Sequence, residues 1–195
     1  GHVRIPTSTS PDARWLLFDE SRDFDRWEMW LLDLQSDVEP VKLRPSSDSE
    51  HSGAFSPDGA SIAFVSDRSG QEEVYVVPFP VPGSETEHVD EVRQISEAGG
   101  SHPVWSPDPE QRELFYRREA EFVVVSLDSS NGEEERTPKV LFEREVAQSP
   151  AGGANYDVLP NGQSFLLVQP LIEVGLVLTW TALLAQSAES SSSRR

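Results

Sequence analysis

Short apolar runs recur along the chain, and each follows a polar turn of similar composition. Trp15-Leu16-Leu17-Phe18 comes after Ser10-Pro11-Asp12, and Ile62-Ala63-Phe64-Val65 comes after Ser56-Pro57-Asp58-Gly59. Leu114-Phe115-Tyr116 follows Ser106-Pro107-Asp108, and Phe165-Leu166-Leu167-Val168 follows a degraded copy, Leu159-Pro160-Asn161-Gly162. From proline to proline the copies lie 46, 50 and 53 residues apart. Such turns have a mechanism. Proline presets φ for the first corner, aspartate accepts from backbone N–H groups, and a glycine such as Gly59 takes the positive φ. Apolar or alternating runs bounded by these residues read as strands.

The cleanest unit predicts strands at 53–56, 61–66, 73–77 and 92–95. The first copy offers 15–18, 28–34 and 41–43, and the third offers 103–106, 114–117, 122–127 and 139–142. The last offers 156–159, 164–169 and 176–180, with no convincing fourth strand behind it. Four short antiparallel strands repeated every roughly 40–50 residues describe β-propeller blades. The expected fold is therefore all-β, with about four blades at approximately 3–50, 51–100, 101–150 and 151–184. Gly1-His2 reads as a vector-derived remnant, and the serine-rich tail 185–195 is expected to be disordered. The long loops 78–89 and 129–137 fall between the third and fourth strands of successive blades, and Glu133-Glu134-Glu135 is expected to be a solvated run.

Composition narrows the partners. At 36% hydrophobic and 9% aromatic residues, the 195-residue chain has enough apolar material for a packed core. Its net charge of −18 repels phosphate, and no basic stripe interleaved with aromatics is present, so nucleic acid is not an expected partner. The absence of cysteine excludes disulfides and thiolate metal sites without assigning a compartment. No run reaches the ~18–20 apolar residues of a membrane span. The longest candidate, 171–184, is broken by Glu173, Gly175 and two threonines.

Phe55-Ser56-Pro57-Asp58-Gly59, followed by Ile62-Ala63-Phe64-Val65-Ser66-Asp67-Arg68-Ser69-Gly70 and Val74-Tyr75-Val76, resembles the TolB-type, WD-like β-propeller repeat. The ending, Asn155-Tyr156-Asp157-Val158 with Gly162-Gln163-Ser164-Phe165-Leu166 and Val177-Leu178-Thr179-Trp180, resembles the closing blade of propeller modules attached to bacterial serine/threonine kinases and related regulators. The resemblance implies a non-catalytic module for protein interaction or ligand sensing within a larger bacterial protein. Two departures stand out. Ala13 and Pro109 replace the turn glycine, and only four copies are present where such propellers usually have six or seven blades. An open arc exposes apolar faces at both ends. The arc could belong to a longer propeller, close as a four-bladed ring completed by Val3-Arg4-Ile5-Pro6, or close by pairing two copies. A fragment of a longer propeller is the favoured origin, with self-association expected of the isolated chain.

Propellers bind at the ends of the central channel. Aligning the copies on Ser-Pro-Asp places Pro6, Ser52, His102 and Asn155 at one position, preceded by Ile5, His51, Ser101 and Ala154. His51, Ser52, His102, Asn155 and Tyr156 are the predicted rim of the channel. Of the dense aromatic cluster Trp15, Phe18, Phe24, Trp27, Met29 and Trp30, the two strand tryptophans Trp15 and Trp30 are expected in the core. Phe24, in a predicted hairpin, 19–26, and Trp27, at its end, are candidates for a protein contact. Asp12, Asp58 and Asp108 are expected to be structural, and pairs such as Asp19-Glu20 carry little information in so acidic a chain. Two histidines without carboxylates at ligand spacing do not specify zinc. No nucleophile elbow, zinc-protease motif or phosphate loop occurs, so neither catalysis nor a cofactor is expected. The expected partner is a protein or peptide. The alternatives are a propeller that accompanies a prolyl-oligopeptidase-like hydrolase, and a purely structural fragment.

Overall fold

The computed structural model describes residues 2–79, 91–127, 137–147, 154–168 and the backbone of 174–177. The tail 185–195, the Glu133-Glu134-Glu135 run and most of the loop 78–89 lie outside the described residues.

Four antiparallel sheets follow one another in chain order. The first contains β1 (Val3–Thr9), β2 (Trp15–Ser21), β3 (Trp27–Asp33) and β4 (Val41–Lys42). The second contains β5 (Glu50–Phe55), β6 (Ser61–Ser66), β7 (Glu73–Pro78) and β8 (Arg93–Gln94). β9 (Ser101–Trp105), β10 (Glu113–Arg118), β11 (Glu121–Ser126) and β12 (Lys139–Glu143) form the third. The last has three strands among the described residues: β13 (Tyr156–Val158), β14 (Phe165–Val168) and β15 (Val174–Val177). Each sheet is an up-and-down meander, and β1, β5, β9 and β13 pack beside one another as the innermost strands. This is an arc of β-propeller blades.

Three expectations change. Val3–Thr9 pairs with β2 as the first blade's own innermost strand, so it is not available to complete a four-bladed ring. The second strand of that blade does not stop at Phe18 but continues through the buried Asp19, Glu20 and Ser21, which leaves only 22–26 for the hairpin loop. In the last blade, β15 begins at Val174 rather than at residue 176, and residues 178–180 lie outside the described part.

The Ser-Pro-Asp turns work as scaffold. Ser56 Oγ donates to Asp58 Oδ1 at 2.5 Å, Ala60 N donates to the same oxygen at 3.0 Å, and Ser61 N donates back to Ser56 Oγ at 2.9 Å. Ser10 and Asp12 repeat the arrangement, with Trp15 N donating to Ser10 Oγ at 2.8 Å. Gly59 has φ +70°, and Ala13 holds the matching corner at φ +54°.

The core divides into three. Trp15, Leu17, Met29 and Leu31 of the first blade interlock with Phe55, Ile62, Phe64, Tyr75 and Val77 of the second. The opposite face of the second blade, with Ala63, Val74 and Val76, meets Trp105, Leu114, Tyr116, Val123 and Val125 of the third. Phe115, Phe122 and Leu141 then meet Tyr156, Val158, Phe165 and Leu167 of the fourth. Alternation along each strand sends one set of side chains to each neighbouring blade. The far face of the last blade leaves Leu166 and Val168 exposed.

Candidate functional site at the channel mouth

The innermost strands are not regular. In β5, His51 pairs with Val65 and Ala54 with Ala63, so Ser52 and Gly53 together stand opposite Phe64. In β9, Ser101 pairs with Arg117 and Val104 with Phe115, so His102 and Pro103 together stand opposite Tyr116. These are β-bulges, and Ser52 and His102 adopt left-handed backbones at φ +56° and +53°. A non-glycine residue in that region costs about 1–3 kcal/mol unless its surroundings hold it there. In the first blade Pro6 and Thr7 together stand opposite Phe18, the same bulge made without a positive φ at the proline, which cannot adopt one.

Polar bonds across the blades hold the bulged strands. Ser52 N donates to Asp19 Oδ2 at 2.7 Å, and Phe55 N donates to Ser8 Oγ at 3.1 Å. Trp105 Nε1 donates to the Ala54 carbonyl at 3.0 Å, and the Tyr156 hydroxyl donates to the His102 carbonyl at 2.7 Å. Each link joins one blade to the blade before it.

Above the bulges opens a cavity of about 730 Å³. His51, Ser52, His102 and Asn155, together with Phe24 and Trp27, line it. A second space of about 620 Å³ runs below them along β1, β5, β9 and β13. Ile5, Asp19, Ser52 and His102 line both, forming a neck between mouth and channel. Tyr156 is the exception among the predicted rim residues. It is buried at the third inter-blade core with its hydroxyl engaged by His102, and it borders only the lower space. Burial pushes its phenol well above the ordinary range.

His51 Nδ1 lies 2.9 Å from Ser52 Oγ and its Nε2 lies 3.2 Å from Glu72 Oε1. That contact and the His51 charge hold the Glu72 carboxyl below the usual carboxylate range. The Asn155 amide donates to the Ala147 carbonyl. Phe24, at φ +68° and 65% exposed, meets Trp27 edge-on with ring centroids 6.0 Å apart. Trp15 is buried as expected, whereas Trp30 is half-buried on the outer face of the first blade beneath Lys42 Nζ, 5.7 Å from its ring centre.

Sequence reasoning missed two neighbours of this rim. Asp19, Val65 and Arg117 occupy one position in three successive blades, opposite Ile5, His51 and Ser101. Asp19 is 5% exposed, and burial pushes its carboxyl up to about 6 against the opposing pull of the Ser52 N–H and the His51 charge. Its Oδ1 is buried and has no hydrogen-bond partner. Arg117 donates from Nη2 to the Glu119 carbonyl at 2.6 Å, but its buried Nε has no partner. Both line the mouth. The apolar Val65 at the matching place was the available signal, since it carries the strand one position beyond Phe18. Among the described residues no group of three or more histidines and carboxylates is placed to hold a metal ion.

Solved structures that share this β-propeller fold include TolB proteins. A protein described as TolB from Agrobacterium tumefaciens superposes with a TM-score of 0.54 and 21% identity, over 72% of this chain and 50% of its own. TolB from Acinetobacter baumannii gives 0.59 and 20%, over 83% and 36%. A puromycin-hydrolyzing peptidase of Mycobacterium tuberculosis gives 0.58 and 19%, over 82% and 27%. The chain thus spans half or less of the length of each. No protein-family model and no curated protein matches the sequence.

Proposed function

We propose that the chain is a non-catalytic binding module, part of a larger bacterial regulatory or signalling protein, whose channel mouth takes a protein or peptide. The observation that carries this reading is the convergence of His51, Ser52, His102 and Asn155, one or two residues from each of three blades, on one open cavity beside the exposed Phe24. Polar groups fixed on rigid strands around an open concavity, with an aromatic at its edge, suit recognition of an extended partner. The left-handed backbones of Ser52 and His102, both on the cavity lining, fit a site shaped for contact.

The test is photo-crosslinking from the rim. A photoreactive residue in place of Phe24 is expected to capture a partner whose adduct disappears with His51→Ala. A partner that crosslinks equally well from the exposed Leu34, just past the end of β3 opposite Trp27, speaks against the mouth as the site.

The runner-up reading is a propeller that accompanies a hydrolase. The likeness to the M. tuberculosis peptidase favours it, because that protein carries a matching arc within a chain several times longer. A hydrolase domain with a nucleophile elbow encoded in the same reading frame would decide for this alternative.

A further inference from the structure

We propose that Asp19 anchors a basic side chain, lysine or arginine, of the peptide or protein that enters the channel mouth. The inference rests on the binding role proposed above and specifies its ligand chemistry.

A buried carboxylate needs compensation, and the other buried acids among the described residues find it internally. Glu20 pairs with Arg4 at 3.3 Å, and Glu50 pairs with Arg44 at 3.0 Å. Glu73 accepts from the Ser96 hydroxyl, from Gly99 N at 2.9 Å and from the Gln71 amide. Asp19 differs. Only its Oδ2 is engaged, by the backbone of Ser52, while Oδ1 is buried without a hydrogen-bond partner. Among the described residues no lysine or arginine forms an ion pair with it. Among these residues the carboxyl has no compensation beyond the Ser52 N–H and the more distant pull of His51. An incompletely compensated buried charge is destabilising, so its retention at a cavity neck points to a cation supplied from outside.

The surroundings agree. Asp25, Asp67, Glu72 and Glu145 line the same mouth, against Arg117 and the two histidines. The walls are therefore net negative, and the field of a chain carrying −18 draws cations toward them. Phe24 and Trp27 offer apolar and π faces at the lip, where a long basic side chain can lay its stem while its charged head travels inward. Arg117, at the matching position two blades away, brings its guanidinium to the same mouth, where it suits an acceptor such as a backbone carbonyl of the same ligand. The site is thus bipolar: one cation at Asp19, one acceptor at Arg117.

The 195-residue chain would be screened against short random peptides with acetylated and amidated ends, which removes terminal charges. The expected result is enrichment of lysine or arginine at one register position. Replacing that residue by neutral norleucine is expected to weaken binding about tenfold or more, as loss of one partner of a buried charge pair does. Asp19→Asn is expected to match that loss for the basic peptide and to have no further effect on the norleucine peptide. Asp37→Asn, the same charge change at an exposed carboxylate, is expected to shift affinity within about twofold, since screened surface charges contribute little. Should Asp19→Asn fail to fold, the norleucine comparison on the native chain decides alone. Enriched peptides that lack a basic residue yet lose binding with Phe24→Asn overturn the Asp19 anchor and leave the binding module intact. No enriched peptide, or binding indifferent to both Phe24→Asn and Asp19→Asn, overturns both.

Discussion

The backbone N–H of Ser52 donates to Oδ2 of Asp19 at 2.7 Å, so a strained bulge of the second blade is fastened to a buried acid of the first. The bond crosses the blade boundary at the neck of the channel. Local strain and a buried charge therefore meet in one contact.

This contact gives a pH dependence with a definite sign. The Asp19 carboxyl titrates at about 6 in the folded chain, against about 3.9 in an unfolded one. The folded state therefore holds more protons across that interval, and stability falls as pH rises through it. The stabilisation is fully present below about pH 4 and lost above about pH 6, a change of about 3 kcal/mol at 1.4 kcal/mol per unit. Asp12 and Asp33, held low by their hydrogen bonds and Arg14, and Asp58, held low by the Ser56 and Ala60 hydrogen bonds and Arg112, act in the opposite sense at lower pH. Urea unfolding of native chain and Asp19→Asn at pH 4 and pH 7 isolates the Asp19 share. The variant is expected to gain on the native chain between the two; a constant difference contradicts the assignment.

Gly59→Ala is expected to destabilise by about 1 kcal/mol, because an L side chain at φ +70° crowds its own carbonyl. A Cβ there would lie 3.4 Å from Pro11 Cδ, ordinary contact, so backbone conformation is the whole effect. Ala13, already at φ +54°, provides the converse: Ala13→Gly is expected to be neutral or stabilising by up to about 1 kcal/mol. Thermal unfolding of the two variants reads both signs.

The repeat was legible because turn chemistry is local. Pro11, Pro57 and Pro107 mark their corners regardless of tertiary context, and the strands behind them followed. The rim was legible for the same reason, since a fixed offset before the turn lands on Ser52 and His102. Asp19 was not legible. An acidic pair after an apolar run reads as the start of a loop, and only the β1–β2 register and the neighbouring blade turn it inward. Tyr156 was misplaced because offset fixes position along a strand, not the face toward which a side chain turns.

Gly53→Ala tests how tightly the first two blades meet. A Cβ on Gly53 would overlap the Leu17 side chain and lie 3.1 Å from Met29 Sδ. Overpacking of this kind costs about 1–3 kcal/mol. The expected result is a lower urea midpoint, and unchanged stability would mean that the interface has slack.

Leu166 and Val168 face outward on the last blade where a further blade would pack. The isolated chain is expected to associate through this face at concentrations on the order of tens of micromolar, since exposed apolar surface drives association in the micromolar to millimolar range. Sedimentation velocity with Leu166→Glu and Val168→Glu is expected to shift the distribution toward monomer. A native chain that sediments as a clean monomer defeats this expectation.

The outermost strands of the first three blades are short or solvent-facing, and each carries a cation: Lys42 on β4, Arg93 on β8 and Lys139 on β12. In a chain this poor in basic residues, such placement guards the perimeter. A second strand approaching any of these rims would have to bury a positive charge beside an unfinished hydrogen-bond ladder. Growth by strand addition is thereby discouraged, and any assembly is steered to stacking of whole blade faces, the same geometry by which a propeller lengthens by one unit.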